Sequence, residues 1–273
     1  MNRVVVPDLK AKKRRGERIA MLTAYDATMA RLLDRAGLDV ILVGDSVGMV
    51  ALGYDNTLTV TLDAMVHHTQ AVTRGAQRAL VVADMPFLTY QISISDAVRN
   101  AGRLMQEGGA AAVKLEGGNS VIDVVKRLVA VGIPVMGHLG LLPQSINQIG
   151  KYARQATQPK DADTLIADAV ALEQAGAFAV VLEAIPAELA RIVTARVGIP
   201  TIGIGAGPDC DGQVLVSHDM LGLFDAFVPS FVKQYAKLGD EILTATREYV
   251  DDVRTGRYPV STPQLVKTKT KVR

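Results

Sequence analysis

Residues 110–140 read AAAVKLEGGNSVIDVVKRLVAVGIPVMGHLG. A short apolar run, Ala112–Leu115, gives way to two glycines. A helix-patterned stretch, Ser120–Val131, follows, then Gly132, then a second apolar run, Pro134–Gly137. Strand, helix, strand with a crossover of this length is the unit that pairs two parallel strands. Both runs are nearly continuous in hydrophobicity, as strands covered on both faces should be. Reading outward, the same alternation recurs. The predicted strands are Ile19–Thr23, Val40–Val43, Leu80–Ala83, Ala112–Leu115, Pro134–Gly137, Ala179–Leu182, Thr201–Ile204 and Ala226–Pro229. Helical stretches fall between them at Ala27–Ala36, Leu62–Ala76, Ser95–Glu107, Ser120–Val131, Asp161–Ala175 and Pro186–Arg196, with a last one at Lys233–Val253. Gly37, Gly109, Gly132 and Gly198 stand where a left-handed residue would stop a helix before the next strand.

Eight such units predict an α/β fold, a closed (β/α)8 TIM barrel. The competing open doubly wound sheet is weakened because no G-x-G-x-x-G follows the first strand. The chain has 273 residues and is 49% hydrophobic, enough to fill one barrel core. No Pro/Ser-rich linker interrupts it, so residues 1–273 are expected to form one domain, with a tail that frays from about 261.

Net charge is only +2, and the basic stretches Lys10–Arg18 and Lys267–Arg273 read as solvated ends. Aromatics make up 4% and Trp is absent, so nothing resembles a nucleic-acid face. The lone Cys210 forms no intrachain disulfide, no run reaches a membrane span, and Met-Asn-Arg does not open a signal peptide. A cytoplasmic protein, bound to neither nucleic acid nor membrane, is expected.

The strand ends carry the chemistry. Asp45 and Ser46 follow strand two, Asp84 strand three, His138 strand five and Glu183 strand six, while Lys114 and Glu116 close strand four. In a barrel these ends meet at one mouth. Any single carboxylate there is most often a helix cap or an ion-pair partner. Three on consecutive strands, Asp45, Asp84 and Glu116, repel one another unless a cation neutralises them, and hard oxygens favour Mg²⁺ over zinc. Lys114, two residues from Glu116, points to the same side. It has three readings: charge balance, a contact for a substrate carboxylate, or a Schiff-base amine. His138 is flanked by glycines and has a purely structural alternative. His67 and His68 lie in a helix on different faces and read as ordinary. Glu183 follows Val180-Val181-Leu182, an apolar run that would raise its basicity, with an N-cap or salt bridge as the equal alternative.

These positions fall inside blocks that resemble the ketopantoate hydroxymethyltransferase family along nearly the whole chain. The blocks are Met21–Asp26, Val43–Gly48 through Thr59–Thr61, Ala83–Phe87, Val113–Gly118, Gly137–Leu141, Leu182-Glu183, and Ile202–Gly207 through Cys210–Gln213. The resemblance implies a barrel of the phosphoenolpyruvate-mutase-like kind. It implies condensation of 3-methyl-2-oxobutanoate with 5,10-methylenetetrahydrofolate, through a Mg²⁺-stabilised enolate, to 2-dehydropantoate on the way to pantothenate and coenzyme A. It also implies a homo-oligomer, commonly a decamer. By position it makes Asp45, Asp84 and Glu116 the magnesium residues and Asp45, Ser46, Asp84 and Lys114 the substrate contacts. Glu183 becomes the proton acceptor and His138 a further active-site residue. The rival is a Mg²⁺-dependent lyase of the isocitrate-lyase type, which would call for a cysteine in a catalytic loop. A non-catalytic scaffold is the other alternative, and the intact acids argue against it.

Overall fold

The computed structural model describes residues 2–259. Its strands are β1 (Ile19–Thr23), β2 (Val40–Val43), β3 (Leu80–Asp84), β4 (Ala112–Lys114), β5 (Val135–Gly140), β6 (Ala179–Glu183), β7 (Thr201–Ile204) and β8 (Gly212–Leu215). They pair in sequence order, all parallel, and β8 returns to β1 through Ile19↔Gly212 and Met21↔Val214, so the barrel closes. The helices are α1 (Val6–Arg15), α2 (Ala27–Arg35), α3 (Val47–Val50), α4 (Leu62–Gly75), α5 (Ile94–Gln106), α6 (Ile122–Ala130), α7 (Ile146–Ile149), α8 (Pro159–Gln174), α9 (Ala187–Arg196), α10 (Ser217–Met220) and α11 (Leu238–Arg254). No described helix is long and apolar enough to cross a membrane.

Alternation along each strand splits the apolar side chains into two layers. Met21, Leu42, Val82, Met136 and Val181 fill the barrel interior. Ile41, Val81, Val113 and Val180 face outward and pack beneath the helices, with residues such as Leu104, Leu128 and Leu172. Side-chain caps begin three of those helices at the ends of β/α loops: Asp26 accepts from the N–H groups of Thr28 and Met29, Thr61 from Ala64, and Ser93 from Asp96.

Four expectations need correction. The eighth strand is Gly212–Leu215, and Ala226–Pro229 is loop. Gly37, Gly109 and Gly132 adopt the left-handed turn, whereas Gly198 does not; its N–H donates to Glu173 Oε1 at 2.8 Å. The last helix starts at Leu238, five residues later than Lys233. Finally, although Lys10, Arg14, Arg15 and Arg18 are exposed as expected, the part of the basic stretch Lys10–Arg18 that runs to Arg15 is not a loose end. It belongs to α1, whose Leu9 is fully buried with the interior cluster at the N-terminal end of the barrel. Lys12 pairs with Asp39 at 3.1 Å. Lys13 donates to the carbonyls of Thr194 and Ile199 and pairs with Asp211, each at 2.9 Å. The tail from about 261, with Lys267–Arg273, lies outside the described residues.

Asp211 also accepts from the Thr201 N–H and hydroxyl, so Lys13 ties α1 to the floor of β7 and β8. Lys13→Ala removes one charged donor from three acceptors. Charge-assisted hydrogen bonds are worth roughly 1.5–3 kcal/mol, so the variant should unfold at lower urea by about that much. A midpoint equal to that of the unmodified chain would mean that α1 contributes nothing to closing the barrel.

Candidate active site

The strands deliver their last side chains to one mouth, where a cavity of about 710 Å³ opens. Asp45, Ser46, Asp84, Lys114, Glu116, His138 and Glu183 all line it. His138 sits within β5 rather than after it, and Glu183 is the final residue of β6. Close backbone approach is built in at Gly44. A Cβ there would come within 2.7 Å of Ser46 Oγ and 3.6 Å of Asp84 Oδ2. The backbone is also pinned directly after Glu183. Ala184 holds a left-handed φ of 49°, its N–H donating to the Ile204 carbonyl and its carbonyl accepting from Gln155, each at 2.8 Å. A non-glycine residue in that region stores strain, and such strain gathers at functional sites.

Lys114 Nζ lies 2.8 Å from Asp84 Oδ1, and both side chains are buried. Burial alone would lower the ammonium's pKa, but Asp84, Glu116 and Asp45 outweigh it and raise it. Lys114 is therefore held charged, which suits a carboxylate contact and not a Schiff-base amine. Burial pushes the Asp45 carboxyl well up, with repulsion from Asp84 and Glu116 adding to it. Burial also raises Asp84, against the pull of Lys114. His138 Nε2 stands 3.2 Å from Glu183 Oε2, and Nδ1 stands 3.5 Å from Glu116 Oε1. Burial and Lys114 both lower the imidazole's pKa, yet its contacts with Glu116 and Glu183 prevail and lift it to about 9. Nδ1 also lies 3.4 Å from Lys114 Nζ, so the ring stands between one ammonium and two carboxylates. The other Glu183 oxygen takes no hydrogen bond among the described residues, and Glu183 lines the cavity, which suits a proton acceptor. Ser46 Oγ meets the Tyr25 hydroxyl at 2.9 Å. His68 Nδ1 meets the Tyr25 carbonyl at 2.8 Å, so that histidine is structural.

Gln144 escaped the sequence reading and occupies the centre of the acidic cluster. Its Nε2 donates to Asp45 Oδ2 at 2.8 Å and to the Met85 carbonyl at 2.9 Å. Both partners are acceptors only, which fixes the amide's orientation. Its backbone N–H donates to Glu116 Oε2 at 3.1 Å, and its Oε1 accepts from the Tyr90 hydroxyl at 2.7 Å. Tyr90 in turn accepts from the Glu116 N–H at 3.1 Å. Gln144 thus spaces Asp45 from Glu116. The only signal for it was position, three residues beyond the Gly137–Leu141 block.

Among the described residues no three His, Cys, Asp or Glu side chains already stand at metal-ligand spacing. Asp45 and Asp84 adjoin, the Asp45 N–H donating to Asp84 Oδ2 at 3.2 Å, while Glu116 accepts from the Gln144 N–H. Asp84 Oδ1 is buried and, although close to Lys114, takes no directed hydrogen bond. Five carboxylates line the cavity, Asp45, Asp84, Glu116, Glu183 and Asp219, against three basic groups, Lys114, Arg154 and His138. The excess of acidic groups, an all-oxygen donor set and an orphaned carboxylate oxygen fit a Mg²⁺ ion held by one or two carboxylates with other positions open. Cys210 is buried beside Gly203, off the cavity lining, and so supplies no cysteine to a catalytic loop.

Solved structures with the same fold include phosphonopyruvate hydrolase in complex with oxalate and Mg²⁺, at 12% identity and a TM-score of 0.62, over 95% of this chain and 92% of that one. Another is 2,3-dimethylmalate lyase, a member of the PEP mutase/isocitrate lyase superfamily, at 17% identity and a TM-score of 0.58, over 97% of this chain and 92% of that one. At such identities the likeness is one of fold. Sequence relatives are far nearer. The 3-methyl-2-oxobutanoate hydroxymethyltransferase of Moorella thermoacetica is 60% identical over 258 residues, which is 94% of this chain and 96% of that protein. The sequence profile of ketopantoate hydroxymethyltransferase matches residues 3–261. With nearly its whole length matched and a barrel mouth furnished with the expected acids, lysine and histidine, the chain belongs to the ketopantoate hydroxymethyltransferase family.

Proposed function

We propose that this chain transfers a one-carbon unit from 5,10-methylenetetrahydrofolate to 3-methyl-2-oxobutanoate, giving 2-dehydropantoate and tetrahydrofolate. The observation that carries the reading is the convergence on one cavity of the seven side chains that the family resemblance picks out. Asp45 and Asp84 would hold Mg²⁺, with Glu116 behind them. When bound, the ion supplies the electrophilic pull on the keto acid that makes its C3 proton removable.

The chain's own residues do the rest. Lys114, fixed as a cation, attracts the substrate carboxylate and opposes the negative charge that grows on the keto oxygen. Glu183 takes the C3 proton, and His138 holds it in place from the far oxygen. Carbon C3 of the resulting enolate then bonds to the folate-borne carbon as one of its two C–N bonds breaks and that nitrogen takes a proton; water displaces the second nitrogen, leaving its hydroxyl on the carbon and its proton on tetrahydrofolate. Gln144 keeps Asp45 and Glu116 apart, so that both stay available.

The test is exchange of the C3 proton of 3-methyl-2-oxobutanoate into D₂O without folate. Exchange should require Mg²⁺ and stop with EDTA. A protein that exchanges equally well in EDTA, or not at all, does not work this way. We also infer a working homo-oligomer in the decamer range. Its support is α11, which has no buried residue and exposes Ile242, Leu243, Tyr249 and Val253.

A further inference from the structure

The cavity is larger than a five-carbon keto acid needs; its volume lies in the range that encloses a drug-sized molecule. The groups assigned above sit at the ends of β2 through β6. The remaining sector, from β7 through β8, is different. It is apolar, with Ile204, Val214 and Val216 on the wall and Phe224, Phe227 and Phe231 at the lip. Three of the chain's five phenylalanines lie within these eight residues, and Phe227 and Phe231 are exposed. The Phe231 ring lies against the backbone of Gly205, where a Cβ would come within 2.8 Å of it. Phe224 and Phe227 pack edge to face at 5.5 Å.

One carboxylate belongs to this sector. Asp219, on α10, lines the cavity and is only 8% exposed. No group among the described residues donates a hydrogen bond to its side chain or pairs with it. None of the described salt bridges reaches it, and Gln234 meets only its backbone carbonyl. Burial alone lifts this carboxyl to about 6. A buried carboxylate with no partner is costly, and one aimed at an open cavity beside flat apolar rings is suited to a planar ligand with paired N–H donors.

We propose that Asp219 and the Phe224–Phe231 lip bind the pterin ring of the folate donor. The carboxylate accepts from the ring N–H and the 2-amino group, and the phenylalanines cover the ring faces. This rests on the reading of the chain as a folate-using transferase. It places the one-carbon donor against β7 and β8 and the keto acid against β2 to β6, with the reacting carbons between them.

The test is calorimetric titration of tetrahydrofolate into the intact protein with Mg²⁺ and 3-methyl-2-oxobutanoate present. Asp219→Asn should weaken tetrahydrofolate at least tenfold, because the amide cannot accept two N–H groups with full charge. A 2-desamino analogue, which keeps only the ring N–H, should lose less affinity on Asp219→Asn than tetrahydrofolate does. Phe227→Ala, at an exposed ring, should weaken both ligands, and it carries the test should Asp219→Asn fail to fold. Tetrahydrofolate affinity within twofold of the unmodified protein in the folded Asp219 variant, or in Phe227→Ala, would overturn the assignment. If the unmodified protein binds no tetrahydrofolate and exchanges no C3 proton, the transferase reading falls with it. If it does both while the variants bind normally, only the pterin site falls.

Discussion

Glu183→Gln should lower the rate of C3-proton exchange by about 10²–10⁴-fold, the usual worth of a positioned general base. Gln keeps the length and one acceptor oxygen beside His138 Nε2, which stands 3.2 Å from Glu183 Oε2 without a directed hydrogen bond. Keto acid and Mg²⁺ should bind within about threefold of normal, since Glu183 is a ligand of neither; one pKa-scale factor of ten would already be about 1.4 kcal/mol. The loss should appear without folate, because proton removal precedes one-carbon transfer. Exchange at the normal rate would move the base elsewhere. His138, which also lines the cavity, would be the next candidate. Deuterium NMR of the keto acid reads this directly.

Asp45→Asn should separate function from stability. Asp45 is buried against Asp84 and Glu116, and burial followed by that repulsion raises its carboxyl pKa. A carboxyl raised on folding destabilises the folded state: as pH climbs from the unfolded pKa through the folded one, the unfolded chain releases its proton first and stability falls. The penalty grows as pH rises through that window, and Asn removes it while its amide oxygen keeps the bond from Gln144. In EDTA the variant should melt higher, by roughly 2–4 °C for each kcal/mol relieved. Mg²⁺ should raise the melting temperature of the unmodified protein and leave that of the variant unmoved, and keto acid affinity in Mg²⁺ should fall at least tenfold. A variant that melts lower in EDTA, or still gains from Mg²⁺, would show that Asp45 serves packing and not the metal.

Much of this was legible beforehand because parallel strands declare themselves as apolar runs. Seven of the eight were placed within a few residues, and with them every strand-end acid from Asp45 to Glu183. The eighth was displaced for a physical reason. Gly212-Gln213-Val214-Leu215 contributes two apolar side chains to a barrel wall, a weak signal, whereas Ala226–Pro229 looks like a buried strand. That apolar run is loop, and Phe227 and Pro229 within it line the cavity. Pro229 was the available warning, since proline suits only the margins of a sheet. The displacement had a second effect: with β8 read too late, Asp219 lay before a strand end and not after one, and so went unconsidered. Gln144 was invisible for another reason. A neutral amide advertises no chemistry by spacing, and its importance comes from its bonds to Asp45, Met85, Tyr90, Gln91 and Glu116.

The last helix links copy number to chemistry. The N–H groups of Tyr235, Leu238 and Gly239 donate to the carbonyls of Met220, Leu221 and Gly222, so the root of α11 is stitched to α10. The helix beyond that root finds no cover for its apolar side chains among the described residues. If another copy supplies the cover, mass action governs how firmly the root is held. Dilution should then loosen the α10 segment before the barrel itself melts. Specific activity measured over a dilution series should decline at protein concentrations where circular dichroism still reports a folded chain, and the decline should reverse on concentrating the sample.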